Sequence, residues 1–384
     1  MRVGLSGFFL DKPMTGSGQY TTNLARELAQ QVDLVIFCPS EAAFRVAQDH
    51  LRDRAATIKT FPAMGGDLGK LWYEQFGLPW ACRRAGVDVL HVPYFGSPFV
   101  KPCPTVVTIH DLIMMAVPEH RGSALVRLYT ALAASSAKRA EVIVADSRHT
   151  QADIGRLLGI LEEKVLVIPL AAELGDKPTD NDGVKARYRL PEKYVFYIGG
   201  LDWRKNIPTL MGAFTRLKGN WHLVIAGEPY RGQGTLFPNL VALAEQLDIE
   251  ERVHFLGRVP EEDKSALYSL ASLFVFPSRY EGFGLTPLEA MACGTPVICS
   301  NATSLPEVAG DAAILFDPGD EDGLAALIQQ ILSNPSRAQE LRERGLVRAR
   351  GFSWHKTASL TIEAYLVASN AAVIPEPGPT KEGA

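Results

Sequence analysis

Short apolar runs rich in β-branched residues alternate with longer helix-forming stretches along this chain, and the alternation begins twice. The first series of runs lies at residues 2–6, 33–37, 87–91, 105–109, 142–145 and 164–168. The second series lies at residues 194–198, 222–226, 252–256, 273–276, 296–300 and 312–316. Short buried strands separated by helix-length segments are typical of βαβ units and parallel sheets. The sequence therefore predicts an α/β protein with two doubly wound, Rossmann-like lobes.

The lobe boundaries follow from the places where the alternation stops. Residues 1–175 are predicted to form an N-terminal lobe, completed by a C-terminal helix over 354–372, and residues 191–353 a second lobe. The polar stretch 176–190 shows neither periodicity and is interpreted as a linker, and the Pro/Gly-rich tail 373–384 as disordered. Open parallel sheets bind ligands beyond the carboxyl ends of their strands, so we expect the two lobes to face an interdomain cleft that holds the ligand.

Composition excludes several classes of function. The formal net charge is −4, so the chain lacks the basic field that holds nucleic acid, and no nucleic-acid partner is expected. The five cysteines are scattered, and the acidic triplets 180–182 and 320–322 lie in the predicted linker and at a helix start, so no metal or other cofactor is expected. No apolar run approaches the roughly 18 residues of a membrane span. We expect a cytoplasmic protein whose membrane contact, if any, is peripheral and at the inner face.

The stretch 277–296 follows a predicted strand and combines turn glycines with the start and stop signals of a helix. Thr286 is predicted as the N-cap, Glu289 as the capping-box acid and Gly294 as the C-terminal stop. The first amides of this helix would point toward an anion such as a diphosphate, and the turn glycines would let the backbone approach it closely. The residues concerned are Gly282, Phe283, Gly284, Leu285 and Thr286. For Glu289, a capping role without a ligand is the alternative.

This stretch, with Glu281, seven residues, Glu289 and the continuation EAMACGTPVICS, resembles the donor-binding signature of the family 4 retaining glycosyltransferases. The resemblance implies the GT-B architecture of two lobes. It also implies that Glu281 contacts the transferred sugar, that Glu289 holds the donor ribose, and that the amides between them bind the diphosphate. Replacing Glu281 by alanine is then expected to abolish transfer while leaving folding nearly intact.

Two further segments of the second lobe resemble motifs of the same family. In the phosphate-binding motif at 197–206, Gly199 follows a predicted strand, and Arg204 with Lys205 would neutralise phosphate charge; a solvated basic pair is the alternative. Many members carry an arginine where this chain has Gly200, which leaves the division of labour between Arg204 and Lys205 open. The base-binding loop corresponds to 254–261, which implies that Val259 and Glu261 lie near the nucleobase.

The first lobe contributes fewer signals. Gly16 and Gly18 lie at a predicted helix start and lack the third glycine of a dinucleotide site; the resemblance implies contact with donor phosphates or acceptor, and an ordinary turn is the alternative. His110 ends a predicted strand at its carboxyl edge, and the family has a histidine near the donor sugar there. Asp111 is expected to orient His110, and Ser147 to cap a helix.

Residues 120–140 carry Arg121, Arg127, Lys138 and Arg139 without an acidic residue, interleaved with leucines. A basic amphipathic helix of this kind either lies on a membrane surface near a lipid-linked acceptor or is a solvated surface helix packed by its leucines.

We therefore interpret the chain as a retaining hexosyltransferase that uses a nucleotide sugar and a glycan or lipid-linked acceptor. The run 71–75 with Leu78 and Pro79 looks most like the mannosyltransferase-like branch that builds bacterial surface polysaccharides, which makes GDP-mannose the first donor hypothesis. A UDP-sugar-dependent glucosyl- or N-acetylhexosaminyltransferase, a sugar-nucleotide epimerase on this fold, and a non-catalytic nucleotide-sugar-binding scaffold are the alternatives.

Overall fold

A computed structural model describes residues 1–12, 15–51, 56–60, 66–172, 181–227 and 236–371. They divide into two compact units: Met1–Pro169 with the residues from Trp354 onward, and Leu170–Ser353. Each unit is built on one parallel sheet with helices between its strands, which confirms the predicted α/β class with two Rossmann-like lobes.

The first unit contains a seven-stranded sheet in the order β3-β2-β1-β4-β5-β6-β7. Its strands are β1 Arg2–Ser6, β2 Asp33–Cys38, β3 Ala56–Thr60, β4 Val89–Val92, β5 Thr105–Ile109, β6 Val142–Ala145 and β7 Val165–Val167. Its helices are α1 Gly16–Leu28, α2 Glu41–His50, α3 Gly66–Trp72, α4 Leu78–Ala85, α5 Ile113–Ala116, α6 Ala124–Ala137 and α7 Arg148–Asp153. A π-helical turn at Tyr73–Gly77 joins α3 to α4.

The second unit contains a six-stranded sheet in the order β10-β9-β8-β11-β12-β13. Its strands are β8 Tyr194–Ile198, β9 His222–Ala226, β10 Val253–Gly257, β11 Leu273–Phe276, β12 Val297–Ser300 and β13 Ile314–Phe316. Its helices are α8 Asn181–Arg187, α9 Ile207–Thr215, α10 Leu240–Gln246, α11 Glu261–Leu270, α12 Leu285–Ala292, α13 Leu305–Ala309, α14 Glu321–Leu332 and α15 Pro335–Arg350. The strand order reverses between β8 and β11, so the loops after these two strands open beside each other.

Within the predicted linker 176–190, residues 181–187 are helical and form α8. The polar sequence shows no apolar periodicity for this helix, which buries Val184 and is otherwise held by a carboxylate of the second unit. Asp263 on α11 accepts hydrogen bonds from Arg187 at 2.7 Å and from Tyr188 at 2.7 Å. Residues 173–180 and the predicted tail 373–384 lie outside the described residues.

The last helix, α16 Trp354–Ala371, packs against the first unit. Its Tyr365 hydroxyl lies 2.8 Å from Nδ1 of the buried His91 on β4, and its Thr357 hydroxyl donates to the Pro169 carbonyl at 2.8 Å. These polar contacts fix α16 against the first sheet, where it contacts β4, β5 and β6.

Two histidines pair at the edge of the second sheet. Nε2 of His254 on β10 lies 2.9 Å from Nδ1 of His222 on β9. Because one nitrogen must donate and the other accept, at least one of the two rings is uncharged. Burial, with the positive charge of Arg252, lowers the pKa of His222, and burial, with His222, lowers the pKa of His254.

Candidate functional site

The loop between β11 and α12 carries Glu281 and is fixed by hydroxyl groups from the segment after β12. The amide of Glu281 donates to Thr303 Oγ1 at 3.0 Å. The hydroxyl of Ser304 donates to the carbonyls of Glu281 at 3.0 Å and of Phe283 at 2.5 Å. Three bonds to one side of the loop hold its backbone, so the Glu281 side chain extends from a fixed base toward the end of β8.

The Glu281 carboxylate lies between the two cations that the sequence placed at a phosphate motif. Its Oε1 atom accepts from Lys205 Nζ at 2.6 Å, from Arg204 at 3.2 Å and from the Ser278 hydroxyl at 2.5 Å. The side chains of Glu281, Lys205 and Arg204 are only 13%, 11% and 12% exposed. The structure therefore brings Glu281, Arg204 and Lys205 into one cluster that is screened from water.

Burial and charge act against each other in this cluster. Burial alone would raise the pKa of Glu281, but the adjacent Lys205 and Arg204 outweigh it and lower that pKa below its usual value. Burial lowers the pKa of Lys205, although Glu281 opposes the shift. Arg204 also interacts with Asp202, whose Oδ1 lies 3.4 Å from its Nε. The cluster thus holds two cations against two carboxylates, and Glu281 is ionised.

The N-terminus of α12 differs from its prediction. The helix begins at Leu285, and Gly284 stands at the N-cap position with a φ of 124°, so Thr286 lies inside the first turn. The prediction of Thr286 as the N-cap is wrong because only glycine adopts this backbone without strain, and an added Cβ would lie 2.8 Å from Leu305 Cδ2. Gly294, with a φ of 70°, lies directly after the C-cap residue Cys293, as predicted for a stop.

The N-cap residue of α12, Gly284, has no side chain that could cap the helix. The amides of its first turn have no carbonyl four residues earlier in the helix, and they carry the positive end of the helix dipole. Gly282 and Phe283 are buried in the preceding loop, where the Phe283 ring packs edge-to-face on Phe352. The loop and the helix start therefore offer backbone donors to an anion next to Glu281.

Glu289 does not close a capping box. Its carboxylate accepts from the Tyr268 hydroxyl of α11 at 2.8 Å, so it faces the neighbouring helix. Burial raises the pKa of Glu289, although Lys264 and the Tyr268 hydroxyl oppose the shift. Glu261, the first residue of α11, pairs with Lys264 at 2.6 Å. Glu289 and Glu261 thus share one cation, while Val259 is buried in front of α11.

Gly199 follows β8 with a φ of 153°, and its amide donates to the Ala226 carbonyl at 3.1 Å. Its own carbonyl would lie 2.3 Å from a Cβ added to Gly227. The ends of β8 and β9 therefore meet backbone to backbone, which explains glycine at both positions without a ligand.

In the first unit, α1 begins at Gly16, and the Thr15 side chain accepts from the Gly18 amide at 3.1 Å. A Cβ on Gly18 would lie 2.0 Å from the Lys12 carbonyl oxygen, so packing alone requires a glycine there. Gly16 borders open space. Ser147 caps α7 by accepting from the Thr150 amide at 3.0 Å, as predicted.

His110 is oriented by Asp146 and not by Asp111, so that prediction is wrong. Its Nδ1 lies 2.7 Å from Asp146 Oδ2 and its Nε2 lies 3.2 Å from the Pro93 carbonyl. Asp111 instead accepts from the Ile113 amide at 3.0 Å. Both partners of the ring are acceptors, which favours the doubly protonated imidazolium. Burial would lower the pKa of His110, but the charge of Asp146 outweighs it and raises the pKa.

Sequence reasoning missed Asp146, although a signal was present. It directly follows β6, as His110 follows β5, and neighbouring parallel strands end at the same edge of a sheet. The same argument that selected His110 would have selected Asp146. Tyr268 and Ser304 carried no signal, since a hydroxyl on a helix or in a loop reveals nothing about the distant group that it binds.

The basic segment 120–140 contains α6, and two leucines of this helix are not packed as the solvated alternative assumes. Leu125 and Leu128 are 63% and 68% exposed, and the buried contacts come from alanines of the second half of the helix. Leu125 and Leu128 therefore do not supply the packing that the solvated alternative assumes, whereas Leu132 is half-buried.

Neither metal nor membrane-spanning features emerge from the part of the chain that the structure describes. Within it, no three His, Cys, Asp or Glu side chains group as a metal centre would require. Among the same residues, no helix combines the length and the apolar character needed to cross a bilayer.

Comparison with known proteins places both units in described families. Residues 14–174 match the family described as Glycosyltransferase Family 4, and residues 180–348 match that described as Glycosyl transferases group 1. The O-antigen chain mannosyltransferase B of Escherichia coli is 36% identical over 373 residues, which cover 92% of this chain and 96% of that protein. The MMP alpha-(1->4)-mannosyltransferase of Mycolicibacterium hassiacum is 26% identical, with coverage of 95% and 98%.

Solved structures support the same fold. The structure of Anabaena Alr3699/HepE in complex with UDP and glucose aligns with a TM-score of 0.76 at 20% identity, covering 95% of this chain and 99% of that one. WaaG, a glycosyltransferase involved in lipopolysaccharide biosynthesis, aligns with a TM-score of 0.69 at 15% identity, with coverage of 95% and 99%.

Proposed function

Since this chain belongs to glycosyltransferase family 4 and is a hexosyltransferase, we propose that it transfers a mannosyl unit from GDP-mannose to a hydroxyl of a glycan or lipid-linked acceptor, with retention of configuration. The observation that carries the proposal is the Glu281 carboxylate, which accepts hydrogen bonds from Lys205 and Arg204 beside a helix N-terminus whose N-cap residue is a glycine. The mannosyltransferase names of the relatives support the choice of sugar.

In the proposed reaction, the bond between the anomeric carbon and the β-phosphate oxygen breaks and a bond to the acceptor oxygen forms on the same face. The acceptor proton passes to the leaving phosphate. Negative charge develops on the diphosphate, so donors fixed in advance near it would lower the barrier. We assign this role to the amides of Phe283 to Thr286 together with Arg204 and Lys205, and we assign the sugar to Glu281 and the ribose to Glu289.

Charge compensation by protein groups implies that no metal ion is needed. A chelator should then leave the transfer rate unchanged, and a rate that requires added Mg²⁺ or Mn²⁺ would contradict this part of the proposal. His110 is held by Asp146 through Nδ1, and it would donate to the donor sugar through Nε2 by exchanging its present bond to the Pro93 carbonyl.

Donor hydrolysis without an acceptor tests the proposal. The protein is incubated with GDP-mannose, UDP-glucose and UDP-N-acetylglucosamine, and release of nucleoside diphosphate is measured. Faster release from GDP-mannose supports the proposal. Faster release from a UDP-sugar would favour the alternative donors. These are included because the HepE structure is in complex with UDP and glucose. Binding without release would favour a non-catalytic scaffold.

A lipid-linked acceptor would bring the enzyme to a membrane surface. We propose peripheral contact through residues 120–140, because α6 combines exposed Leu125 and Leu128 with basic side chains.

A further inference from the structure

A stripe of large apolar side chains runs along the outside of the helical segment formed by α3, the π-helical turn and α4. Its members recur at every fourth residue, and all are exposed: Leu68 by 76%, Trp72 by 38%, Phe76 by 67% and Trp80 by 52%. The opposite side of the same segment buries Tyr73, Leu78 and Cys82 in the core of the first unit. A helix that is apolar on both sides at a protein surface leaves one side to be covered by something else.

A second element extends this stripe. Phe99 and Val100, in the loop between β4 and β5, are 37% and 62% exposed. Val100 and the helical segment line a groove of about 600 Å³, whose other lining residues include Trp72, Phe76, Pro79, Trp80 and Arg83. We call the stripe, this loop and the groove between them the aromatic face.

The exposed charges of the aromatic face are positive. The guanidinium of Arg84 stacks on Trp80 at 5.3 Å, and that of Arg139, at the end of α6, stacks on Phe99 at 4.5 Å. Between residues 68 and 85 the one acidic residue is Glu74, whose side chain is only 1% exposed and accepts from the Tyr129 hydroxyl of α6. That bond also fixes α6, with its basic residues, beside the aromatic face.

The chemistry of this face favours a lipid surface over a sugar chain. Sugar sites need free polar groups, but the Gln75 amide of the groove is used internally: it donates to the Ser97 carbonyl at 3.3 Å and accepts from the Phe99 amide at 2.8 Å. Tryptophan, phenylalanine and arginine are side chains that lie at the headgroup level of a bilayer, and anionic lipids attract basic residues.

We propose that the aromatic face docks onto an anionic phospholipid bilayer, with Phe76, Trp80, Phe99 and Val100 in the interfacial layer and Arg83, Arg84 and Arg139 at the lipid phosphates. This contact is additional to the one proposed for residues 120–140, and it does not depend on which sugar is transferred.

The test is co-sedimentation of the full chain with vesicles of phosphatidylcholine alone or of phosphatidylcholine mixed equally with phosphatidylglycerol. We expect binding to the mixed vesicles that weakens as salt is added. The double variant Phe76→Ser/Phe99→Ser should bind about tenfold more weakly or worse, because each phenylalanine contributes by its buried apolar area. The control Val241→Ser/Val347→Ser removes two exposed apolar side chains of the second unit and should bind like the unchanged protein.

A third variant separates the two surfaces. If Leu125→Ser/Leu128→Ser abolishes binding while Phe76→Ser/Phe99→Ser does not, the membrane contact belongs to α6 alone and the inference is overturned. Equal binding of the unchanged protein to uncharged and mixed vesicles would also overturn the inference. So would a dimer of the unchanged protein, seen by sedimentation velocity without vesicles, that Phe76→Ser/Phe99→Ser abolishes, because the aromatic face would then bind a second copy of this chain. Vesicle-free donor hydrolysis should be the same for all three variants, which shows that they fold and keeps this test distinct from that of the proposed function.

Discussion

Replacing Glu281 by glutamine keeps the shape of the side chain but removes the charge that holds Lys205 and Arg204. In the folded protein, Lys205 Nζ lies 2.6 Å from Glu281 Oε1, and both side chains are nearly buried. Glutamine leaves two neighbouring cations, with Asp202 as their remaining carboxylate. The sequence alone suggested that Glu281→Ala leaves folding nearly intact; the structure indicates a large loss of stability for either substitution.

The size of that loss follows from the burial of the cluster. Removing one partner of a buried ion pair costs about 3–5 kcal/mol, because a charge is left uncompensated. We expect about 3 kcal/mol for Glu281→Gln, near the lower limit, since Lys205 can release its proton. For a unit of this size the change corresponds to a melting temperature lower by about 6–12 °C.

The pH dependence gives an independent check on the cause. Burial already lowers the pKa of Lys205 in the folded protein, and loss of Glu281 lowers it further. Between the lowered pKa of Lys205 in the folded variant and the ordinary lysine pKa, the unfolded chain binds more protons than the folded chain. The free energy of unfolding therefore rises with pH over this range, which is wider in the variant than in the unchanged protein. The difference between variant and unchanged protein should therefore shrink as the pH is raised from neutral toward the alkaline range.

The assay is urea unfolding followed by circular dichroism, with donor hydrolysis measured on the same samples. The matched control is Glu321→Gln, since Glu321 also accepts from an arginine at 2.6 Å, but both side chains of that pair are about 40% exposed or more. Exposed pairs contribute little, so the control should change stability by less than about 1 kcal/mol. If Glu281→Gln behaves like the control, the buried charge cluster does not exist as described.

Three further variants test the surroundings of the site. Tyr268→Phe removes the donor to Glu289, which should raise the pKa of that carboxyl further and weaken GDP binding about fivefold in calorimetry; unchanged affinity would contradict the role of Glu289. Asp146→Asn should lower the pKa of His110 in an NMR titration and cost about 1.5–3 kcal/mol. That loss should be fully present below the histidine pKa of the unfolded chain and fade as pH rises through the raised folded value; a constant loss would exclude the ion pair. His254→Gln removes a histidine whose pKa is lowered by folding, so the variant should lose less stability than the unchanged protein as pH falls below about 6.5. Urea unfolding at neutral and acidic pH measures this, and parallel losses would count against it.

The strands that the sequence predicted well are those that are buried on both faces. Residues 194–198 and 273–276 coincide with β8 and β11, because a parallel strand covered by helices shows a continuous apolar run. The strand β3 was missed, since it lies at the sheet edge and its sequence, Ala-Thr-Ile-Lys-Thr, is largely solvent-facing. Helix α8 was missed for a similar reason: ion pairing to Asp263 substitutes for an apolar face.

Within the candidate site, the sequence predicted which residues take part, but it did not predict which of them contact one another. Glu281, Arg204 and Lys205 were recognised as charged residues next to glycine-rich turns, but their mutual pairing depends on β8 and β11 being neighbours in the sheet. Strands whose paired residues, such as Val195 and Leu273, are far apart in the sequence become adjacent through the reversal of strand order, which local patterns do not encode. The N-cap at Gly284 was not predicted because the close approach of Leu305, which leaves no room for a side chain there, comes from the next helix.

Glu281 and Glu289 lie eight positions apart in one motif, but their different neighbours in the structure shift their pKa values in opposite directions. Both are largely shielded from water, and this burial by itself would raise the pKa of each. Lys205 and Arg204 contact Glu281 and reverse that effect, whereas Glu289 shares a single lysine with Glu261 and retains a raised pKa. As pH falls, Glu289 therefore takes up a proton first, while Glu281 stays ionised. A residue proposed to hold the donor ribose can act as a neutral hydrogen-bonding group, but one proposed to act at the transferred sugar, beside two cations, must keep its charge to keep them in place.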